Sequence, residues 1–162
     1  MSAPSFPPLD ITPMWARVNA ELIELVDLVP DDKLDWSPEP KLWNFKGILL
    51  HVVIGRGLIA VLVPDGKPAP DAPQAGQTNE GLKELLHSSW ESMVPFLSNP
   101  ELLAREYEVP FEGQTRRLSG HWLAFGQIEH DIHHRADIYH YLGQLGIEHE
   151  EPDTVARKLR QG

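Results

Sequence analysis

Four of the chain's eight histidines, His130, His133, His134 and His140, fall within eleven consecutive positions of the run HDIHHRADIYHYLGQLGI (130–147). Residues four apart on an α-helix stand one turn above each other, with Cβ atoms about 5–6 Å apart. His130 and His134 form such a pair, and two imidazoles at that spacing can converge on one divalent metal ion. At about 100° per residue, His133 is turned roughly 60° from His130 and His140 roughly 80° to the same side, so the four are not one cluster. The face that carries the pair also carries Leu123, Gln127, Asp137 and Tyr141. Two nitrogens are too few for a tight catalytic zinc site, which uses three protein ligands and leaves a position for water. His87 and His121 are available as a third, but His51 stands out because it lies inside the apolar stretch GILLHVVIGRGLIAVLV (47–63). Without a third ligand, an HxxxH pair on a helix is ordinary solvated or hydrogen-bonded histidine.

These side chains must be held by elements, and the sequence marks where those begin and end. Thr12-Pro13 reads as an N-cap followed by the first helical position. Trp15, Val18, Leu22, Leu25 and Val29 then recur at helical spacing until Pro30, which predicts a first helix over 13–29. Residues 29–43 hold three prolines and several acids and read as a loop. The 44–63 segment is apolar on nearly every side. Two strands around Gly55-Arg56-Gly57 are the alternative, but its length and lack of alternation favour one helix. As a membrane span its 17 apolar-rich residues (47–63) are at the short limit, and His51 and Arg56 sit near the middle, where charge in lipid is costly. A buried helix of a soluble bundle is the expectation.

Residues 64–76 form a Pro-rich connection. Thr78 opens a third helix with Leu82, Leu85, Leu86, Trp90, Met93, Phe96 and Leu97, whose end Pro95 should kink or fray. A Gly-containing turn within 107–118 predicts a small hairpin. Ser119 then caps a fourth helix running to about Leu145, with Gly146 as its stop. The fold class expected is all-α: a four-helix bundle with long Pro-rich loops and one short β-hairpin before the last helix. It forms a single domain over 1–162, with about ten residues at the start and twelve at the end peripheral.

Composition narrows the partners. Lys and Arg number 14 against 24 Asp and Glu, a net charge of −10, which argues against a nucleic-acid backbone or an anionic membrane. There is no cysteine, so disulfides, a protein thiolate and thiolate-bound metal are all absent. The start MSAPSFPPLDITPMW has neither the basic nor the apolar region of a signal peptide, and a cytoplasmic location is expected.

LLHVVIGR, then a long gap, then HDIHHRADIYHYLGQLGI, resembles the DinB-like (damage-inducible) superfamily of four-helix metal proteins. That family carries one histidine on its second helix and a pattern close to H-x-x-H-H-R-G-Q, followed by Y-L-x-x-L-G, on its last. The approach LDWSPEPKLWNFKGILLH, with its tryptophans, is similar too, and the likeness runs over most of residues 10–147. Carried over position by position, it implies His51, His130 and His134 as metal ligands and His133 as a non-ligand. Two positions depart from the pattern: Ala136-Asp137 replaces Gly-Gln, and Arg56 stands where an acidic residue is expected. Both bear on the pocket's substrate more than on its metal.

The resemblance implies one divalent ion (Zn, Ni, Mn or Fe) with open positions for water or a small-molecule substrate. Relatives in the superfamily include thiol-dependent transferases and isomerases that use bacillithiol or mycothiol, so a low-molecular-weight thiol cosubstrate fits a chain without cysteine. Hydrolysis is the other reaction expected. Asp137, one turn beyond His134, is the candidate for orienting a ligand or for acid–base work. Two alternatives remain: a non-catalytic metal-binding, stress or partner-binding bundle, and a zinc peptidase in which HDIHH stands for HExxH with Asp131 as the base. Finally, Phe125, Ile128, Ile132 and Tyr139 lie opposite the histidine pair, and this second apolar sector predicts a homodimer through that face.

Overall fold

The structure is a computed structural model and describes residues 10–63 and 76–150. The Pro-rich connection over 64–75 and the two peripheral termini lie outside the described residues. Helix α1 (Thr12–Leu28) starts a residue before the expected position. Ile11 takes the cap position without a side-chain bond, and Asp10 Oδ1 accepts from the Thr12 amide at 3.0 Å instead. A 3₁₀ turn (Asp31–Lys33) follows. The 44–63 segment is one helix, α2 (Phe45–Ala60), capped by Asn44, whose Oδ1 accepts from the Gly47 amide at 2.7 Å.

Thr78 caps α3 (Asn79–Leu97) as expected, its hydroxyl accepting from Gly81 N. Pro95 does not stop the helix, which runs two residues beyond it, although its ring leaves the Glu91 carbonyl without the usual backbone donor. A short helix, α4 (Pro100–Ala104), was not expected. Asn99 caps it and Pro100 opens it, but five residues are too few to show a period. The hairpin pairs β1 (Glu106–Phe111) with β2 (Gln114–Ser119), in register from Glu106↔Ser119 to Phe111↔Gln114. Its two-residue turn needs positive φ at both positions, and Glu112 and Gly113 adopt +49° and +74°. Ser119 then caps α5 (Gly120–Gln144), which ends at Gly146 with φ +70°.

Helix α2 packs against α3 and α5, and α1 packs against the same two, so α1 and α2 sit across a diagonal. The space between them holds Trp15, Leu22, Leu49, Val52, Leu86, Met93, Phe96, Ile138 and Leu142, all fully buried. Burying a side chain of this size contributes about 1.5–3 kcal/mol. The second apolar sector of α5 is spent inside this bundle. Ile128 and Tyr139 are buried, and Ile132 packs on the core; Phe125 alone of the four is exposed, at 50 %. Among the described residues no helix is long and apolar enough to cross a membrane.

Candidate metal centre

α2 and α5 run side by side, and each carries part of the histidine set. His51 comes from the middle of α2, and His130 and His134 from successive turns of α5. Their ring centroids stand 4.6 Å apart for His51–His130, 5.1 Å for His51–His134 and 4.5 Å for His130–His134. One ring nitrogen from each lies within 4.8 Å of the others. Trp43, at the foot of α2, closes one side: its ring is 4.3 Å from His51 and stacks at 5.8 Å over His134. Tyr141 Oη, on α5, donates to the Trp43 carbonyl at 3.0 Å and holds that residue in place.

The electrostatics favour neutral imidazoles, the form that ligates a metal. Burial lowers the His51 pKa from its ordinary value, and the neighbouring His130 and His134 lower it further. Burial also lowers that of His134, with Asp137 opposing and His130 and His133 assisting. The set could therefore hold a metal ion.

Behind the cluster each α5 histidine meets a polar partner. Asp137 Oδ2 lies 3.0 Å from His134 Nδ1, which leaves Nε2 of that ring for the cluster. The Gln127 amide nitrogen lies 3.2 Å from His130 Nδ1 and donates to Asp131 Oδ1 at 2.9 Å. Asp131 is fully buried, and its Oδ2 accepts from Trp15 Nε1 at 2.7 Å and Arg56 Nε at 2.8 Å. Burial alone would raise the Asp131 carboxyl; the Arg56 charge, with hydrogen bonds from His130, Trp15 and Arg56, outweighs it and holds the group below the usual range. Arg56 Nη1 also donates to Asn19 Oδ1 at 2.6 Å and the Leu86 carbonyl at 3.1 Å.

The model of the DinB family matches residues 1–160 of this chain. The chain belongs to the DinB family. YjoA of Bacillus subtilis (strain 168) is 23 % identical over 125 residues, which are 76 % of this chain and 80 % of that protein. The crystal structure of that DinB-like protein superposes with a TM-score of 0.67, covering 89 % of this chain and 96 % of that one. A DinB-like protein from Bacillus cereus ATCC 10987, 16 % identical, gives 0.64 over 86 % of this chain and 94 % of its own. These two likenesses share the fold.

Within this DinB fold the structure brings together the three histidines singled out in the sequence, and it sets Asp137 against one of them. His133 points away, its side chain 70 % exposed, although its Nε2 lies 3.6 Å from Asp137 Oδ2, so His133, His134 and Asp137 form a second, more open group of possible ligands. His87, His121 and His140 are exposed and take no part in either group. Sequence reasoning missed what Arg56 and Asp131 do. Arg56 was visible as a departure and Asp131 as a possible base, but nothing in their spacing, 75 residues apart, says that they meet.

Proposed function

We propose that this protein is a divalent-metal-dependent enzyme of transferase or hydrolase type, with His51, His130 and His134 as the ligands and open positions left for water or a small-molecule substrate. The observation that supports it is the convergence of three imidazoles from two helices, with a nitrogen of each within 4.8 Å of the others, two of them (His51 and His134) held toward the neutral form by burial. A bound ion would supply Lewis acidity, which lowers the pKa of a water or thiol to near neutrality. The chain's own groups do the rest. Asp137 orients His134 through Nδ1, and Trp43, 49 % exposed, offers an apolar wall for a substrate next to His51. With no cysteine in the chain, the thiol in a transferase reaction is a low-molecular-weight cosubstrate.

Metal analysis tests the ligand set. His51→Ala should lower metal affinity by orders of magnitude, and His133→Ala should leave it unchanged; equal metal content in His51→Ala and the parent overturns the three-ligand reading. Turnover is then sought by offering thiols and electrophiles to Zn-, Ni-, Fe- and Mn-loaded protein.

The second reading, a non-catalytic metal-binding bundle, is favoured by a different observation. A groove of about 670 Å³ is lined by Leu97, Leu103, Trp122 and Phe125, with His121 and Ser119, and by none of the three clustered histidines, so a ligand could bind there apart from that site. The peptidase reading lacks its base: Asp131 is fully buried, and its two oxygens already accept three hydrogen bonds. A cytoplasmic homodimer belongs to the same proposal. With Ile128 and Tyr139 buried, Trp122 and Phe125 are the exposed apolar surface left on α5. A parent that runs as an 18.3 kDa monomer at micromolar concentration ends that part.

A further inference from the structure

The apolar packing of α2 is a poor ruler. The helix is apolar on nearly every side, so its pattern singles out no face for α5, and apolar contacts are not directional. A metal centre does not: sliding α2 by one residue against α5 moves His51 by about 1.5 Å, whereas ligand distances hold to about 0.2 Å. Something has to set the register of these two helices more sharply than the core does.

Arg56 lies on α2 with His51, and Asp131 lies on α5 next to His130. Their 2.8 Å bond therefore joins the same two helices as the histidine cluster, about one and a half turns from His51. Both side chains are fully buried, and Trp15 and Asn19 of α1 and Leu86 of α3 complete the network, so all four long helices meet at this pair. Asp131 carries the hold onward: its Oδ1 lies 3.5 Å from His130 Nδ1 and is fixed by the Gln127 amide, which donates to it at 2.9 Å. Gln127 can sit there because α2 presents Gly55: a Cβ at that position would come within 2.9 Å of the Gln127 amide nitrogen. The network is not built for stability alone. Arg56 Nη2 is buried without a hydrogen-bond partner among the described residues, which costs free energy. Buried ion pairs are also often matched or bettered by apolar residues, and fixing register is their best-attested use.

We propose that Arg56, Asp131 and Gln127 are positioning residues for the histidine cluster, the buried pair fixing the register of α2 on α5 and Gln127 fixing the Asp131 carboxylate that faces His130 Nδ1. This rests on the metal reading above, and Co²⁺ titration of the full chain separates the two. Co²⁺ reports affinity and ligand geometry through its visible absorption, without reference to turnover. Arg56→Met/Asp131→Leu replaces the pair by apolar groups of similar volume; it should stay helical by circular dichroism, bind Co²⁺ roughly ten- to a hundredfold more weakly, and give an altered band. Gln127→Leu leaves Arg56 bonded to Asp131 and should weaken Co²⁺ binding about tenfold; it decides the matter if the double variant does not fold. Folded variants that bind Co²⁺ as the parent does, with the same spectrum, overturn the positioning role. A parent that binds no Co²⁺ overturns the metal reading itself.

Discussion

Replacing Arg56 with Met removes one member of the buried pair and leaves the other. Asp131 keeps its bonds from Trp15 and Gln127 but loses its counter-charge, while Asn19 Oδ1 and the Leu86 carbonyl each lose a donor. Breaking a buried pair in this way costs about 3–5 kcal/mol. Folded domains hold only about 5–15 kcal/mol in all, so the loss is a large part of the total. For a chain of this length it corresponds to a fall in Tm of about 6–20 °C. The Lys83–Asp27 pair, with side chains 25 % and 58 % exposed, is the internal comparison, and Lys83→Met should cost far less than Arg56→Met. Urea unfolding of metal-free protein measures both. The variant carries a further signature. Without Arg56, burial dominates and raises the Asp131 pKa in the folded state above its unfolded value, so acidification relieves the penalty and the gap to the parent narrows as pH falls. A loss below about 1 kcal/mol that does not change with pH would show that the pair is solvated, and would refute the reasoning.

Other outcomes follow from the same geometry. Gly120→Ala should cost about 3 kcal/mol, because a Cβ there meets the Leu102 carbonyl oxygen at 2.3 Å and the Leu103 Cα at 2.7 Å, backbone atoms that cannot swing aside. Gly126→Ala, with nothing within 4 Å, should instead stabilise α5 by about 0.8–1 kcal/mol, and urea midpoints distinguish the two. Metal-free protein should lose stability as pH falls below about 6.5, because the unfolded chain takes up protons there while His51 and His134, with pKa values lowered first by burial, remain neutral in the fold. A Tm that is flat or rising on acidification contradicts this, and His51→Ala should flatten the profile. Chelation should leave circular dichroism unchanged, since the core is apolar, and re-adding metal at about 100 times its Kd should contribute roughly 2.7 kcal/mol; a chelated sample that is unfolded would make the site structural.

The elements were legible where local chemistry decides. Thr78 and Ser119 cap the helices they were read to cap, and Gly146 ends the last one in the left-handed conformation. The candidate site was legible for the same reason: His130 and His134 are placed by one helix's own geometry, and His51 is conspicuous in an apolar run. What was hidden depends on contacts between distant segments. The partnership of Arg56 with Asp131 and the Trp43 wall against His51 and His134 are products of tertiary packing, not of spacing. The face of α5 that carries Ile128 and Tyr139 reads in the sequence as a homodimer surface for the same reason, since only the fold shows that both are buried within the bundle.

Trp43 has a consequence of another kind. It is half-exposed, while Trp15 is wholly buried, and its indole touches two of the three histidines. Emission from an indole in that setting lies toward the red, where the buried ring contributes little, and an open-shell cation among the imidazoles would quench it at contact range. Trp122, the other strongly exposed indole at 63 %, stands eight residues before His130 on the same helix, about 12 Å along the axis, and serves as a reference that the cation scarcely reaches. If the three histidines hold such a cation, Trp43 would serve as an optical gauge of site occupancy, legible in a cuvette without a label, and Trp43→Phe would silence it.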